Sequence, residues 1–291
     1  MADPITAATA TPPDDTATPP DDTATPPDTS TDPTLPRRII GTSLKMYFSH
    51  ARTLQWAAEV GEIARTHPAV TAGDAGLFLL PQFPSIPACL DLGGPVLIGA
   101  QDVAAADSGA WTGEVSAAVL AELGCRFAEV GHAERRRHFH ETDDVVSAKT
   151  ATALHHGLTP VLCVGEESQV SPEQAAAEVM VQIRSALPPA SAELPRPMSV
   201  VLAYEPVWAI GAPAPADPEH IIEVCTVVRS RTRTLFPGLD FRLIYGGSAR
   251  PGLLTRLGPA VDGLFLGRFA HETDSVREIL DEVADVIKLS P

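Results

Sequence analysis

The sequence predicts an α/β protein, a single (β/α)8 barrel preceded by a disordered N-terminal tail, and three observations predict it. From Arg37 onward, short apolar runs alternate with amphipathic stretches, the pattern of parallel strands joined by helices. The runs are short and several are β-branched, as strands buried on both faces are. Strand–helix units of this kind recur eight times after the tail, and about 250 residues is the length at which such a sheet commonly closes.

Arg38–Gly41 is the first apolar run, and Ala51–Arg65 is the amphipathic stretch behind it. Gly76–Leu80 and Val96–Ala100 are the second and third strands, and the helix after the third is weak in the sequence. Phe127–Val130 precedes a helix over Asp143–His156, and Thr159–Cys163 precedes one over Pro172–Leu187. Ser199–Tyr204 leads to Pro218–Leu235. Phe241–Tyr245 is followed by a second weak helix, and Gly263–Leu266 by a terminal helix over Ser275–Leu289.

Residues 1–36 are of a different kind. Thr11-Pro12-Pro13-Asp14-Asp15-Thr16-Ala17 recurs as Thr18 to Ala24 and begins again at Thr25. Pro, Thr, Asp and Ala offer too little apolar surface to offset the entropy of ordering, so this segment reads as a disordered, solubilising tail. The remainder, 37–291, reads as one barrel domain. The tail holds seven acids and no Lys or Arg, leaving −9 of the total −16 for the barrel. Such a surface repels nucleic acid and anionic membrane, and an anionic substrate needs its own local positive site.

Cys89, Cys125, Cys163 and Cys225 are scattered, with no CxxC pair, and read as reduced, buried thiols. With no signal-peptide pattern and no membrane-spanning apolar run, a cytoplasmic location is expected. No metal or cofactor is expected either. His138 and His140 are two apart and His155 and His156 adjacent, so neither pair shares a helix face.

In a barrel of this class the active site forms at the C-terminal ends of the strands. Lys45 follows the first run, His132 and Glu134 the fourth, and Glu205 the sixth. Gly246-Gly247-Ser248 follows the seventh, and Gly267-Arg268 the eighth. Taken singly, Glu205 reads equally well as a helix-start acid and His132 as the cap of a buried strand end. Together, a carboxylate, an imidazole, an ammonium and glycine-bearing loops suffice for acid–base chemistry on an anionic substrate.

Four segments resemble the triosephosphate isomerase family: Ala203-Tyr204-Glu205-Pro206-Val207-Trp208-Ala209-Ile210-Gly211, Gly131-His132-Ala133-Glu134-Arg135-Arg136, Gly109-Ala110-Trp111-Thr112-Gly113-Glu114 and Tyr245-Gly246-Gly247-Ser248. The resemblance extends over 38–290. It implies that Glu205 is the base that removes a proton beside the carbonyl, giving an enediolate. It implies that His132 shuttles protons between the two oxygens as a neutral ring, a property already known for triosephosphate isomerase itself. Lys45 would support the negative charge, and Gly211, Ser248 and Gly267 would offer backbone N–H groups to a phosphate. Pro206 to Ala216 would form a lid. Glu134 matches a second acid, as readily structural as catalytic. Thr112 matches a loop that enters the partner subunit's site, so a homodimer is expected.

Several positions depart from the glycolytic pattern. Ser43 stands where asparagine is usual, Arg268 where a second glycine is usual, and Ala133 where serine is usual. The lid tip is Ala212-Pro213-Ala214-Pro215-Ala216-Asp217. With Trp111, these features resemble the family's L-erythrulose-1-phosphate isomerase branch, of erythritol catabolism. That resemblance implies conversion of L-erythrulose 1-phosphate to D-erythrulose 4-phosphate. Ser43 would leave room for the extra hydroxymethyl group, and Arg268 would meet the phosphate. A glycolytic triose-phosphate isomerase and a non-catalytic binding barrel are the two alternatives.

Overall fold

A computed structural model describes residues 35–187 and 198–288. The tail expectation therefore lies, from residue 1 to residue 34, outside the described residues, as does Leu289 at the end of the last predicted helix. Eight parallel strands close into a barrel in chain order. They are β1 (Arg38–Ser43), β2 (Ala75–Leu80), β3 (Val96–Ala100), β4 (Phe127–Val130), β5 (Thr159–Val164), β6 (Met198–Tyr204), β7 (Leu239–Tyr245) and β8 (Gly263–Leu266). Arg38↔Ala75 through Ser43↔Leu80 join β1 to β2, and Ile39↔Gly263 through Thr42↔Leu266 close the ring.

The helices among the described residues begin with α1 (His50–Thr66), α2 (Pro68–Thr71), α3 (Ile86–Asp91), α4 (Ala117–Glu122) and α5 (Ala133–Phe139). They continue with α6 (Asp143–His155), α7 (Pro172–Ala186), α8 (Pro218–Leu235), α9 (Leu253–Leu257) and α10 (Thr273–Lys288). Local chemistry sets their starts. Ser49, Ser116 and Thr142 cap α1, α4 and α6 by accepting a backbone N–H. Ser171 and Gln174 form a reciprocal capping box ahead of α7, and Asp217 caps α8 with Pro218 in its first turn. The helices faint in the sequence, α4 and α9, are six and five residues long. Neither completes two turns, so neither displays a helical period.

Side chains alternate along each strand, and the alternation builds two apolar layers. Ile39, Phe78, Phe127, Val161, Val201 and Phe265 fill the barrel interior, with the Phe78 ring 4.5 Å from Phe127 and 5.8 Å from Phe265. The opposite faces pack on the helices. Leu35 joins the interior cluster, and the carbonyls of Leu35 and Pro36 accept Arg242 Nη2 at 2.8 Å and Nε at 3.0 Å. The packing thus includes the two residues ahead of Arg37.

A buried ionic cluster ties the loop after β3 to α5 and α6. Lys149 Nζ donates to Asp102 at 2.7 and 2.8 Å and to Glu141 at 2.6 Å. Arg135 reaches the same two carboxylates at 2.8 and 2.6 Å. Among the described residues, no helix is long and apolar enough to cross a membrane.

Candidate active site

The strand ends bring every residue singled out for catalysis or substrate binding to one rim. Ser43, Lys45, His132, Glu205, Gly211, Ser248, Gly267 and Arg268 all line a cavity of about 550 Å³. That volume suits a small ligand. Trp111 and Thr112, on an exposed loop, line no part of it.

Glu205 is the first residue past β6, and its N–H is held by Val164 O at 2.8 Å. Gly246 makes room for it: a Cβ there would stand 2.3 Å from Glu205 Oε1. Burial pushes the carboxyl up to about 7, against the opposing pull of the Lys45 ammonium and the Cys163 thiol. Its Oε2 is buried with no hydrogen-bond partner among the described residues and faces His132 Nε2 at 3.4 Å. A buried, unpartnered carboxylate oxygen with a raised pKa is a proton acceptor in waiting.

His132 caps α5, and its Nδ1 accepts the Glu134 N–H at 3.1 Å. That bond assigns the proton of a neutral ring to Nε2, the nitrogen that faces the cavity. Burial, then the charges of Lys45 and Arg135, lower its pKa to about 3. The ring is therefore neutral across the physiological range.

Lys45 adopts a left-handed backbone (φ 47°), unusual for a side-chain-bearing residue. Gln101 Nε2 fixes that bend by donating to Lys45 O at 3.0 Å. The ammonium lies 2.9 Å from His132 Nε2 and 3.2 Å from Glu134 Oε2. Burial works to lower its pKa, but Glu129, Glu205 and Glu134 together hold it above the ordinary lysine value. With the ring proton on Nε2, that 2.9 Å approach is a meeting of two donors and not a hydrogen bond, so Lys45 Nζ and His132 Nε2 both lack an acceptor between them, beside the Glu205 carboxylate. The arrangement fits an oxygen on which negative charge develops.

Glu129 was not legible as a site residue among the strand's apolar neighbours. It is buried on β4, and its Oε2 accepts the Ser43 hydroxyl at 2.9 Å. The strand's alternation offered a signal: Glu129 shares the inward face with Phe127, where a carboxylate is costly.

The segment over the cavity is tied at both ends. Trp208 Nε1 donates to Glu166 at 2.9 Å, and Tyr204 Oη reaches the same buried carboxylate at 3.2 Å. Ser248, itself left-handed (φ 54°), points its hydroxyl at Ala209 O (2.9 Å) and Ala212 O (3.0 Å). Tyr245 Oη accepts the Ala216 N–H at 3.0 Å. At this end of the cavity the backbone N–H groups of Gly211, Ser248 and Gly267 make no hydrogen bond among the described residues. Arg268 lies beside them, its Nη2 3.9 Å from where a Cβ on Gly211 would stand. Free N–H groups and a guanidinium suit a phosphate.

Comparison with known proteins gives the family. The family model described as Triosephosphate isomerase matches residues 38–283. An L-erythrulose-1-phosphate isomerase of Pectobacterium atrosepticum is 49% identical over 245 residues, covering 84% of this chain and 94% of its own length. A triosephosphate isomerase of Thermus thermophilus is 37% identical over 253 residues, covering 84% and 98%. An L-erythrulose-1-phosphate isomerase of Brucella abortus is 36% identical over 259 residues, covering 86% and 97%. Spanning the barrel and both sides of the cavity, these matches mean that the chain belongs to the triosephosphate isomerase family.

Proposed function

We propose that this enzyme moves a carbonyl along a small phosphorylated ketose by proton transfer, and that its substrate is L-erythrulose 1-phosphate, converted to D-erythrulose 4-phosphate. The observation that carries the chemistry is the unpartnered Glu205 Oε2, set 3.4 Å from the cavity-facing nitrogen of a neutral histidine. Glu205 removes the proton from the carbon beside the carbonyl. The charge that moves onto the oxygen is met by His132 Nε2–H and the Lys45 ammonium. His132 then gives its proton to one oxygen of the enediolate and takes one from the other. Glu205 returns its proton to the neighbouring carbon. The phosphate is held by the N–H groups of Gly211, Ser248 and Gly267 and by Arg268.

Ser43, Arg268 and the 49% identical relative support the four-carbon substrate over the three-carbon one. A serine at 43 leaves space that a longer amide side chain would fill. The triose reading has the shared catalytic set and the Thermus relative in its favour. We also infer a homodimer: Met46 is 85% and Trp111 60% exposed, apolar surface suited to burial against a second copy.

The test is kcat/KM on L-erythrulose 1-phosphate and on D-glyceraldehyde 3-phosphate, side by side. A preference for the tetrulose supports the proposal. A preference for the triose overturns the substrate and keeps the chemistry, and turnover of neither overturns both.

A further inference from the structure

Glu129 has no part in the proton path described above, yet it lies at the foot of the site. Its side chain stands on the inward face of β4, two residues beyond Phe127, and is 3% exposed. Oε2 accepts the Ser43 hydroxyl at 2.9 Å, and Oε1 lies 3.9 Å from the Cys163 thiol. Cys163 and Ala203, small members of the same interior layer, leave it room. Burial lifts its carboxyl to about 7, a cost that an apolar residue at this position would not incur.

Glu129 does not line the cavity, but Ser43 does. A serine hydroxyl carries one proton and two acceptor sites. When Glu129 is ionised, the form the charge of Lys45 favours, it can only accept; with its proton given to Glu129, the Ser43 oxygen has acceptor capacity to offer a ligand. An amide at position 43 would offer a donor as well, so the pair defines a hydrogen-bond polarity that serine alone leaves open.

We propose that Glu129 is a positioning residue that fixes Ser43 as a hydrogen-bond acceptor, so that the floor of the cavity selects a hydroxyl of the substrate. That the hydroxyl is the extra one of a four-carbon ketose phosphate rests on the tetrulose reading; the polarity of Ser43 does not. Glu129 touches no substrate atom and acts through Ser43.

The test is a double-mutant cycle in the full-length protein: Ser43→Ala, Glu129→Gln and the two combined, with kcat and KM measured on both phosphosugars. Each single change is expected to raise KM for the tetrulose phosphate about 10-fold while kcat holds within about 2-fold, the split expected of a lost binding contact. The combined variant is expected to be no worse than the weaker single one, because both changes act on the same contact: Ser43→Ala removes it, and Glu129→Gln replaces its acceptor-only partner with an amide that also donates. Effects that multiply in the combined variant overturn the proposal. So does a Glu129→Gln change that lowers kcat equally on both substrates. Glu129→Asp keeps the charge and withdraws the contact by one methylene; it is expected to reproduce the KM loss, and an unaltered KM overturns the proposal even if Glu129→Gln fails to fold. A wild type that prefers the triose overturns the substrate reading alone. The cycle is then read on the triose phosphate, where coupling between 43 and 129 supports the positioning role and its absence removes it.

Discussion

His132 Nε2 and Glu205 Oε2 stand 3.4 Å apart without forming a hydrogen bond, although both are buried. Burial acts on the pair in opposite directions by protonation. It favours the neutral carboxyl, raising Glu205 to about 7, and the neutral imidazole, lowering His132 to about 3. The result is a base poised near physiological pH beside a donor that does not titrate there.

Glu205→Gln keeps the shape and removes the base. We expect kcat to fall by about 10²–10⁴, the usual scale for a general base. In the wild type, kcat/KM should decline tenfold per pH unit below an apparent pKa near 7, the value to which burial lifts Glu205. His132 adds no limb above pH 4, because its own value is about 3. Unchanged turnover in Glu205→Gln would remove the mechanism.

The same shift makes a statement about stability. Glu205 holds its proton up to about 7 in the folded protein, whereas an ordinary glutamate releases it near 4.5. The folded state therefore binds more protons than the unfolded chain between those values. The stabilisation this provides is complete below 4.5 and is lost as pH rises through 7. Glu205→Gln is then expected to raise Tm relative to wild type at pH 8.5 and to leave it nearly unchanged at pH 5. A Tm difference that is the same at both pH values would mean that the carboxylate is not penalised by burial.

Lys149 tests the ionic cluster that fixes the base of α5. Its ammonium is 5% exposed and bonds two buried carboxylates, Asp102 and Glu141. Lys149→Met fills similar volume but leaves Arg135 as the cation for both acids, and breaking a buried pair in this way costs up to about 3–5 kcal/mol. Chemical denaturation gives the value directly. A loss below about 1 kcal/mol would place the pair among those that solvent already screens.

The barrel and its rim were legible because short apolar runs, the amphipathic stretches between them and the motif residues at the ends of the runs all agree. What was not legible has specific causes. Glu129 hides among apolar neighbours, and its meaning depends on Ser43, 86 positions away. Ser248 was expected to offer its backbone N–H. The structure adds a hydroxyl contact to Ala209 and Ala212, which sequence cannot show because it joins two loops. Leu35 and Pro36 follow a tract without apolar pattern, yet Arg242 of β7 holds both carbonyls. Long-range polar contacts of this kind leave no periodic trace.

Arg268 is exposed, with no ion-pair partner among the described residues, and its guanidinium lies beside Gly211 at the rim of the cavity. A guanidinium held for a ligand affects binding more than chemistry. Arg268→Gly is expected to raise KM for the phosphorylated substrate about 10-fold with a smaller change in kcat. An unaltered KM would mean that the side chain takes no part in phosphate binding.

Tyr245 ties the segment over the cavity to the barrel. It is the last residue of β7, its ring is buried, and its hydroxyl accepts the N–H of Ala216, itself 2% exposed, at the end of the segment over the cavity. Tyr245→Phe keeps the ring and leaves that N–H buried without an acceptor, a penalty of about 1–3 kcal/mol that falls on the closed arrangement. If the segment opens and closes during turnover, water satisfies the N–H in the open form, so the fold itself loses little. We therefore expect kcat/KM to fall by at least about 5-fold while Tm moves by less than about 2 °C. A fall in Tm with activity intact would assign the bond to the fold and leave the segment without a latch at this end.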